Sequence, residues 1–138
     1  FIVNDNPYLA NEVNADGCHI GQKDFDIKKA RKILKNKILG VTCHNSISLS
    51  QKAIENGADY IALGAFFQSK TKKVKYFADF HTLRSVKKFS KTDVVAIGGI
   101  NLRNYKKVLL NKANFLAISN YIWKNKTLNP EEALNKLK

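Results

Sequence analysis

Apolar residues fall along this chain in two alternating patterns. Short runs such as Val94-Val95-Ala96-Ile97 are apolar throughout and rich in β-branched residues, as strands covered on both faces are. After each run the apolar positions take a helical period. Ile27, Ala30, Ile33 and Leu34 form one such stripe. The pattern predicts strands at Phe1–Asn4, Cys18–Gly21, Ile38–Thr42, Tyr60–Leu63, Val94–Ile97 and Phe115–Ile118. It predicts helices at Pro7–Val13, Asp26–Leu34, Ile47–Glu55, His81–Phe89, Leu102–Leu110 and Pro130–Leu137. Asp26 and Ser46 suit N-caps, and Pro130 followed by Glu131 and Glu132 suits a helix start.

Strands alternating with helices mean βαβ units and a parallel sheet, so the fold class is α/β. Two architectures fit, a doubly wound open sheet and a β/α barrel. A dinucleotide-binding sheet calls for GxGxxG after its first strand, and the chain offers only Gly98-Gly99. A barrel collects polar residues at the C-terminal ends of several strands. Here Asn4-Asp5, Gln22 and Asp24, Thr42 with His44, the loop 64–78, Gly98-Gly99 and Ser119-Asn120 all stand at such ends. A full barrel has eight units and about 250 residues. Six units are visible in 138 residues. The expectation is a (β/α)8 TIM barrel represented by its last six units. Residues 1–138 then form a single domain, the C-terminal three-quarters of the barrel. Six strands leave two apolar open edges, and a homo-oligomer is one way to cover them.

Composition refines this picture. No apolar run approaches the roughly 20 residues of a membrane span, so no membrane association is expected. The chain has no Met and opens Phe1-Ile2-Val3-Asn4-Asp5 without a basic leader. Cys18 and Cys43 stand in neither a CxxC nor a zinc spacing. Together these read as a reduced, cytoplasmic protein with sequence upstream of Phe1. The net charge of +13 comes from 24 Lys+Arg, of which only three are Arg. Base and phosphate recognition favours the forked guanidinium, so no nucleic-acid partner is expected. A lysine-rich surface would instead steer small anions.

Three groups of residues could carry chemistry. Asp5 and Asp24 end neighbouring strands about 4.8 Å apart, close enough to share a hard cation, although strand-end Asp residues also cap helices. Mg²⁺ is commonly held by one or two carboxylates plus substrate phosphate. Gly98-Gly99 and Ser119 end the strands that would be seventh and eighth in a barrel, where phosphate sites form; a plain tight turn is the alternative. Gln68-Ser69-Lys70-Thr71-Lys72-Lys73 offers hydroxyls and ammonium groups suited to a diphosphate, or to a solvated loop. Among the histidines, His44 lies just past a strand end and is the site candidate. His19 lies inside a strand as a packed, hydrogen-bonded residue, and His81 opens a helix at the surface. Nothing beside Cys43 would make it a thiolate nucleophile.

These pieces, in this order, resemble the thiamine-phosphate synthase family. The resemblance rests on Ile2-Val3-Asn4-Asp5, the run Ala15 to Asp24, Gly40-Val41-Thr42-Cys43-His44-Asn45, Gly57-Ala58-Asp59-Tyr60, the run Gly64 to Lys72, Ala96 to Ile100, and Ala117-Ile118-Ser119. It implies a (β/α)8 barrel enzyme that joins hydroxymethylpyrimidine diphosphate to thiazole phosphate with Mg²⁺ as cofactor. By the same resemblance Asp5 and Asp24 are the metal ligands and Asn4 lies in the diphosphate region, with Gln22 a further substrate-binding candidate. Thr42 supplies a hydroxyl to the leaving group, and His44 stands beside it. Ser69, Thr71 and Lys72 match the loop whose lysine is the cation nearest the diphosphate. Gly99, Ile118 and Ser119 match the thiazole-phosphate pocket. Lys72 and Thr42 are the catalytic candidates.

Three departures from the family pattern stand out. Gln68 replaces a loop proline, Asn120 follows Ser119 where small residues are usual, and the family's Gln-x-Arg-x-Lys segment does not occur in the sequence. The expectation is that these 138 residues alone are inactive or feeble. Two other readings are a thiazole tautomerase-like isomerase, and a degenerate barrel that binds thiamine precursors or nucleic acid without catalysis.

Overall fold

A computed structural model describes residues 1–68 and 74–138. Strands and helices alternate along it. They run β1 (Ile2–Asn4), α1 (Pro7–Glu12), β2 (Gly17–Ile20), α2 (Ile27–Leu34), β3 (Ile38–His44), α3 (Ile47–Glu55), β4 (Tyr60–Gly64), α4 (Phe80–Phe89), β5 (Asp93–Ile97), α5 (Tyr105–Leu110), β6 (Phe115–Ala117), α6 (Asn120–Trp123) and α7 (Pro130–Asn135). All strand pairs are parallel, and the sheet order is β1-β2-β3-β4-β5-β6. A doubly wound sheet reverses its strand order at a switch point, and this one never does. With right-handed crossovers throughout, a sequential order places every helix on one face and curls the sheet as in a β/α barrel.

Alternation along the strands separates the two faces. Cys18, Ile20, Leu39, Val41, Cys43, Ile61, Leu63, Val94 and Ala96 point to the helices and are fully buried. Ala30 and Leu34 of α2, Ala53 of α3, Leu83 and Val86 of α4 and Val108 of α5 close that core from outside. The opposite positions, among them His19, Gly40, Thr42, Tyr60 and Ala62, face the inner, concave side.

The helix starts follow the capping chemistry. Asp26 accepts from the Lys29 amide at 2.9 Å, and Ser46 accepts from the Leu49 amide at 3.2 Å. Asn129 and Glu132 form a reciprocal capping box before Pro130. Several boundaries depart from the sequence pattern. The segment expected to be helical from Leu102 begins its helix at Tyr105, because Asn101 and Asn104 hold a turn: both side-chain amides donate to the Gly99 carbonyl at 3.1 Å. Gly21 and Ile118 lie outside their strands, and a four-residue helix, α6, follows Ser119 where no periodic pattern announces it. His44 is the last residue of β3 rather than past its end, since a register shift between Thr42 and His44 lets the strand continue.

Candidate active site

The C-terminal ends of the strands gather most of the residues singled out by sequence. Asn4 closes β1, and Asp5 follows it in the left-handed region at φ 66. Its amide donates to the His19 carbonyl at 2.7 Å, which ties the turn after β1 to β2. Asp24 folds back toward its own strand: Oδ2 accepts from the Gly21 amide at 2.7 Å. Both carboxylates are exposed at the rim. Gln22 reaches one strand further and donates through Nε2 to the Thr42 carbonyl at 2.5 Å. Groups from three consecutive strand ends thus meet on one side of the rim.

Thr42 is held at both ends. Its carbonyl accepts from Gln22, and its Oγ1 lies 2.8 Å from His19 Nε2. His19 Nδ1 lies 2.9 Å from the Tyr60 hydroxyl, and the two rings stack at 5.5 Å and 24°. Burial pushes the His19 imidazole below its ordinary range, with Asp24 pulling weakly the other way. Burial raises the Tyr60 phenol. The ring therefore stays neutral near pH 7 and sits between two hydroxyls. His19 is the packed, bonded histidine expected from its strand position. Tyr60, its partner, stood out in the sequence only as a strand start and as the end of the Gly57-Ala58-Asp59-Tyr60 motif, with no site role.

His44 also adopts the left-handed region, at φ 52, and its ring packs on Tyr76 at 4.4 Å between centroids. The next residue ties down α4. The Asn45 Oδ1 accepts from the Asp79 amide at 3.0 Å, and Asp79 caps α4 by accepting from the Thr82 amide at 2.7 Å. That amide bond holds the Asp79 carboxyl below its usual range. The base of the long loop is clipped to β4, with the Ala65 amide on the Tyr76 carbonyl and the Ala78 amide on the Ala65 carbonyl. Ser69, Thr71 and Lys72, expected in this loop, lie outside the described residues.

On the other side of the rim the loop after β4 extends the sheet. The Phe66 and Phe67 amides donate to the Ile97 and Gly98 carbonyls at 3.1 and 3.0 Å. This contact needs glycine. Gly98 has φ 99, and a Cβ there would stand 2.2 Å from the Ala65 Cβ. Gly99 follows at φ 66, its carbonyl already occupied by Asn101 and Asn104. Ile118 is half-buried, and Ser119 is exposed at the N-cap of α6 with its hydroxyl making no cap bond. Nearby, the Tyr121 hydroxyl is the only buried side-chain polar atom without a partner among the described residues.

Two carboxylates at the rim suit a hard cation that completes its shell from substrate and water. Among the described residues no cluster of three or more His, Cys, Asp or Glu side chains forms a self-sufficient metal cage. Asp5 and Asp24, both exposed, are oxygen donors of the kind Mg²⁺ takes when substrate and water complete its shell. Among the described residues no helix is long and apolar enough to cross a membrane.

Comparison with known proteins adds the following. A family model described as thiamine monophosphate synthase matches residues 1–122. The chain is 66% identical over 138 residues to a thiamine-phosphate synthase from Pelagibacter ubique, covering 100% of this chain and 67% of that protein. It is 51% identical over 105 residues to one from Alcanivorax borkumensis, covering 75% of this chain and 48% of that protein. Among solved structures, a thiamine phosphate pyrophosphorylase from Pyrococcus furiosus superposes with a TM-score of 0.86 at 30% identity, over 99% of this chain and 64% of that one. A 3-hexulose-6-phosphate synthase, at 18% identity and a TM-score of 0.71, shares the fold. The chain thus spans between about half and two-thirds of the length of these relatives.

Proposed function

The chain belongs to the thiamine monophosphate synthase family, and from that premise we propose that it supplies the metal, leaving-group and thiazole-phosphate side of a thiamine-phosphate synthase. The reaction couples hydroxymethylpyrimidine diphosphate to thiazole phosphate. The C–O bond to diphosphate breaks with its electron pair leaving on oxygen. The pyrimidine methylene becomes cationic, and the thiazole ring nitrogen donates its lone pair to form the new C–N bond. The protein's share is alignment and neutralisation of a departing anion.

The supporting observation is that Asn4-Asp5, Gln22, Asp24, Thr42 and Gly98-Gly99 all stand at or just past the C-terminal ends of parallel strands, with Gln22 bonded across to the Thr42 carbonyl. Asp5 and Asp24 would hold Mg²⁺, which supplies positive charge to the diphosphate oxygens. Asn4, Gln22, His44 and the Thr42 hydroxyl border the diphosphate. Ser69, Thr71 and Lys72 donate to it from the loop. Gly99, Ile118 and Ser119 border the thiazole phosphate. The protein works in the cytoplasm on small phosphorylated substrates. The Gln-x-Arg-x-Lys segment does not occur in these 138 residues, so this piece alone turns over feebly or not at all.

The test is an assay of thiamine phosphate formation by the native gene product, with and without Mg²⁺. Magnesium-dependent synthesis is expected. Asp24→Ala should cut the rate by about a hundredfold, the scale of losing one preorganised charge-stabilising group. A protein that leaves the diphosphate intact and only isomerises the thiazole phosphate would overturn the proposal. Near-normal turnover by the 138-residue piece would overturn its last part.

A further inference from the structure

We propose that His19 is a positioning residue: bridged to Tyr60 on one side and Thr42 on the other, it aims the Thr42 hydroxyl proton at the rim. The inference rests on the synthase reading above and deepens it. His19, Thr42 and Tyr60 come from β2, β3 and β4 and share the inner face of the sheet. Nδ1 lies 2.9 Å from the Tyr60 Oη and Nε2 lies 2.8 Å from the Thr42 Oγ1. Both partners are neutral hydroxyls, able to donate or accept. A neutral imidazole donates through one nitrogen and accepts through the other, so the direction of one bond dictates the other. A phenol, with an ordinary pKa of about 10, is a far better donor than an aliphatic alcohol. Tyr60 therefore donates to Nδ1, and Nε2–H donates to the Thr42 Oγ1. A hydroxyl oxygen that has accepted this bond turns its own proton away from the ring. On that side lies the open rim, where an anionic oxygen would accept it.

The surrounding packing holds the bridge still. The Tyr60 ring crosses Gly40, and a Cβ at position 40 would stand 2.0 Å from the Tyr60 Cζ. The Thr42 backbone is pinned by Gln22 on its carbonyl. Without His19 the Thr42 hydroxyl rotates, and it can donate inward and present only a lone pair to an anion.

The experiment has two arms, both on the native gene product. In the first, the long-range ¹H–¹⁵N spectrum of the His19 ring should show Nε2 protonated and Nδ1 bare. An Nδ1-protonated ring overturns the inference whatever the activity. In the second, kcat for thiamine phosphate synthesis is compared across variants, with unfolding temperatures measured alongside. Gln places its amide nitrogen near Nε2, and Asn places its own near Nδ1. His19→Asn and Thr42→Val should each lower kcat about tenfold, one hydrogen bond to a charged group. The double variant should be no worse than Thr42→Val. His19→Gln should recover most of the loss seen in His19→Asn, even if both unfold at the same temperature.

Equal losses in His19→Gln and His19→Asn, or losses that multiply in the double variant, overturn the inference. If the wild-type protein makes no thiamine phosphate, the synthase reading fails. The same ranking is then expected in the affinity for inorganic diphosphate with Mg²⁺, and an unranked result there overturns the positioning role.

Discussion

Tyr60 occupies the space that a side chain at position 40 would need. Three atoms of its ring and hydroxyl lie between 2.0 and 2.5 Å from where a Gly40 Cβ would sit. Gly40→Ala should cost about 1–3 kcal/mol in urea unfolding, the usual range for overpacking. Adding Tyr60→Val should recover part of that cost, and failure to do so would mean the strain arises elsewhere. Cys43 makes a second residue-scale argument. Burial pushes its thiol up to about 12 from the ordinary 9.0. The unfolded chain gives up this proton first as pH rises. The stability contribution is therefore whole below pH 9 and is lost as pH climbs toward 12. Unfolding free energy should fall by up to about 1.4 kcal/mol per pH unit in that window. Cys43→Ala should flatten the slope in urea titrations at successive alkaline pH values; an unchanged slope would assign the loss to other groups, with Tyr60 first among them. Little of this was legible in sequence. Gly40 and Tyr60 are twenty positions apart, and only their register on adjacent strands brings them together.

Arg31 shows how one side chain can join three elements. It sits in the last turn of α2, and its guanidinium donates to the carbonyls of Gly57, Lys35 and Lys37 at 2.7–3.0 Å. It also pairs with Asp59, whose Oδ2 accepts from the Leu39 amide at 2.7 Å. The ion pair is half-exposed and worth little alone. The three carbonyls are where the loss falls: Arg31→Ala should destabilise by about 1–3 kcal/mol in urea unfolding. Arg31→Lys should rescue little, because an ammonium cannot span the fork. Full rescue by Lys would reduce the contact to simple charge. At this scale the sequence was most informative where local chemistry decides. Asp26 and Ser46 cap the helices they were expected to cap, because an Asx or Ser side chain meets its own backbone amides within four residues. It was least informative where a side chain from elsewhere intervenes. Asn101 and Asn104 delay α5 by spending their amides on Gly99, and the bulge at Thr42 carries His44 into β3.

The order of the strands was readable for a different reason: strand-end polar residues recur with each βα unit, and a sheet wound in sequence puts all those ends on one rim. The rim as a working surface was less readable, since the bonds of Gln22 and His19 to Thr42 cross between strands. Among the described residues the same winding leaves β1 paired only with β2, and β6 only with β5. At the strand starts the inner face shows Ile2 at 36%, Ile38 at 42% and Phe115 at 57% exposure. Two unpaired edges beside an apolar face favour association with further strands. Opposing this is a net charge of +13, which repels like copies. Salt decides between them, because the screening length falls from roughly 30 Å at 0.01 M to about 8 Å at 0.15 M. Edge pairing is short-range and barely screened, whereas the repulsion between copies is. The 138-residue chain should therefore sediment as a monomer in dilute buffer and associate increasingly as sodium chloride rises through this range. Charged substitutions at Ile2 and Phe115 should restore the monomer at high salt. Association that instead weakens with salt would point to contacts between charged surfaces, and the edges would then not be what joins the copies.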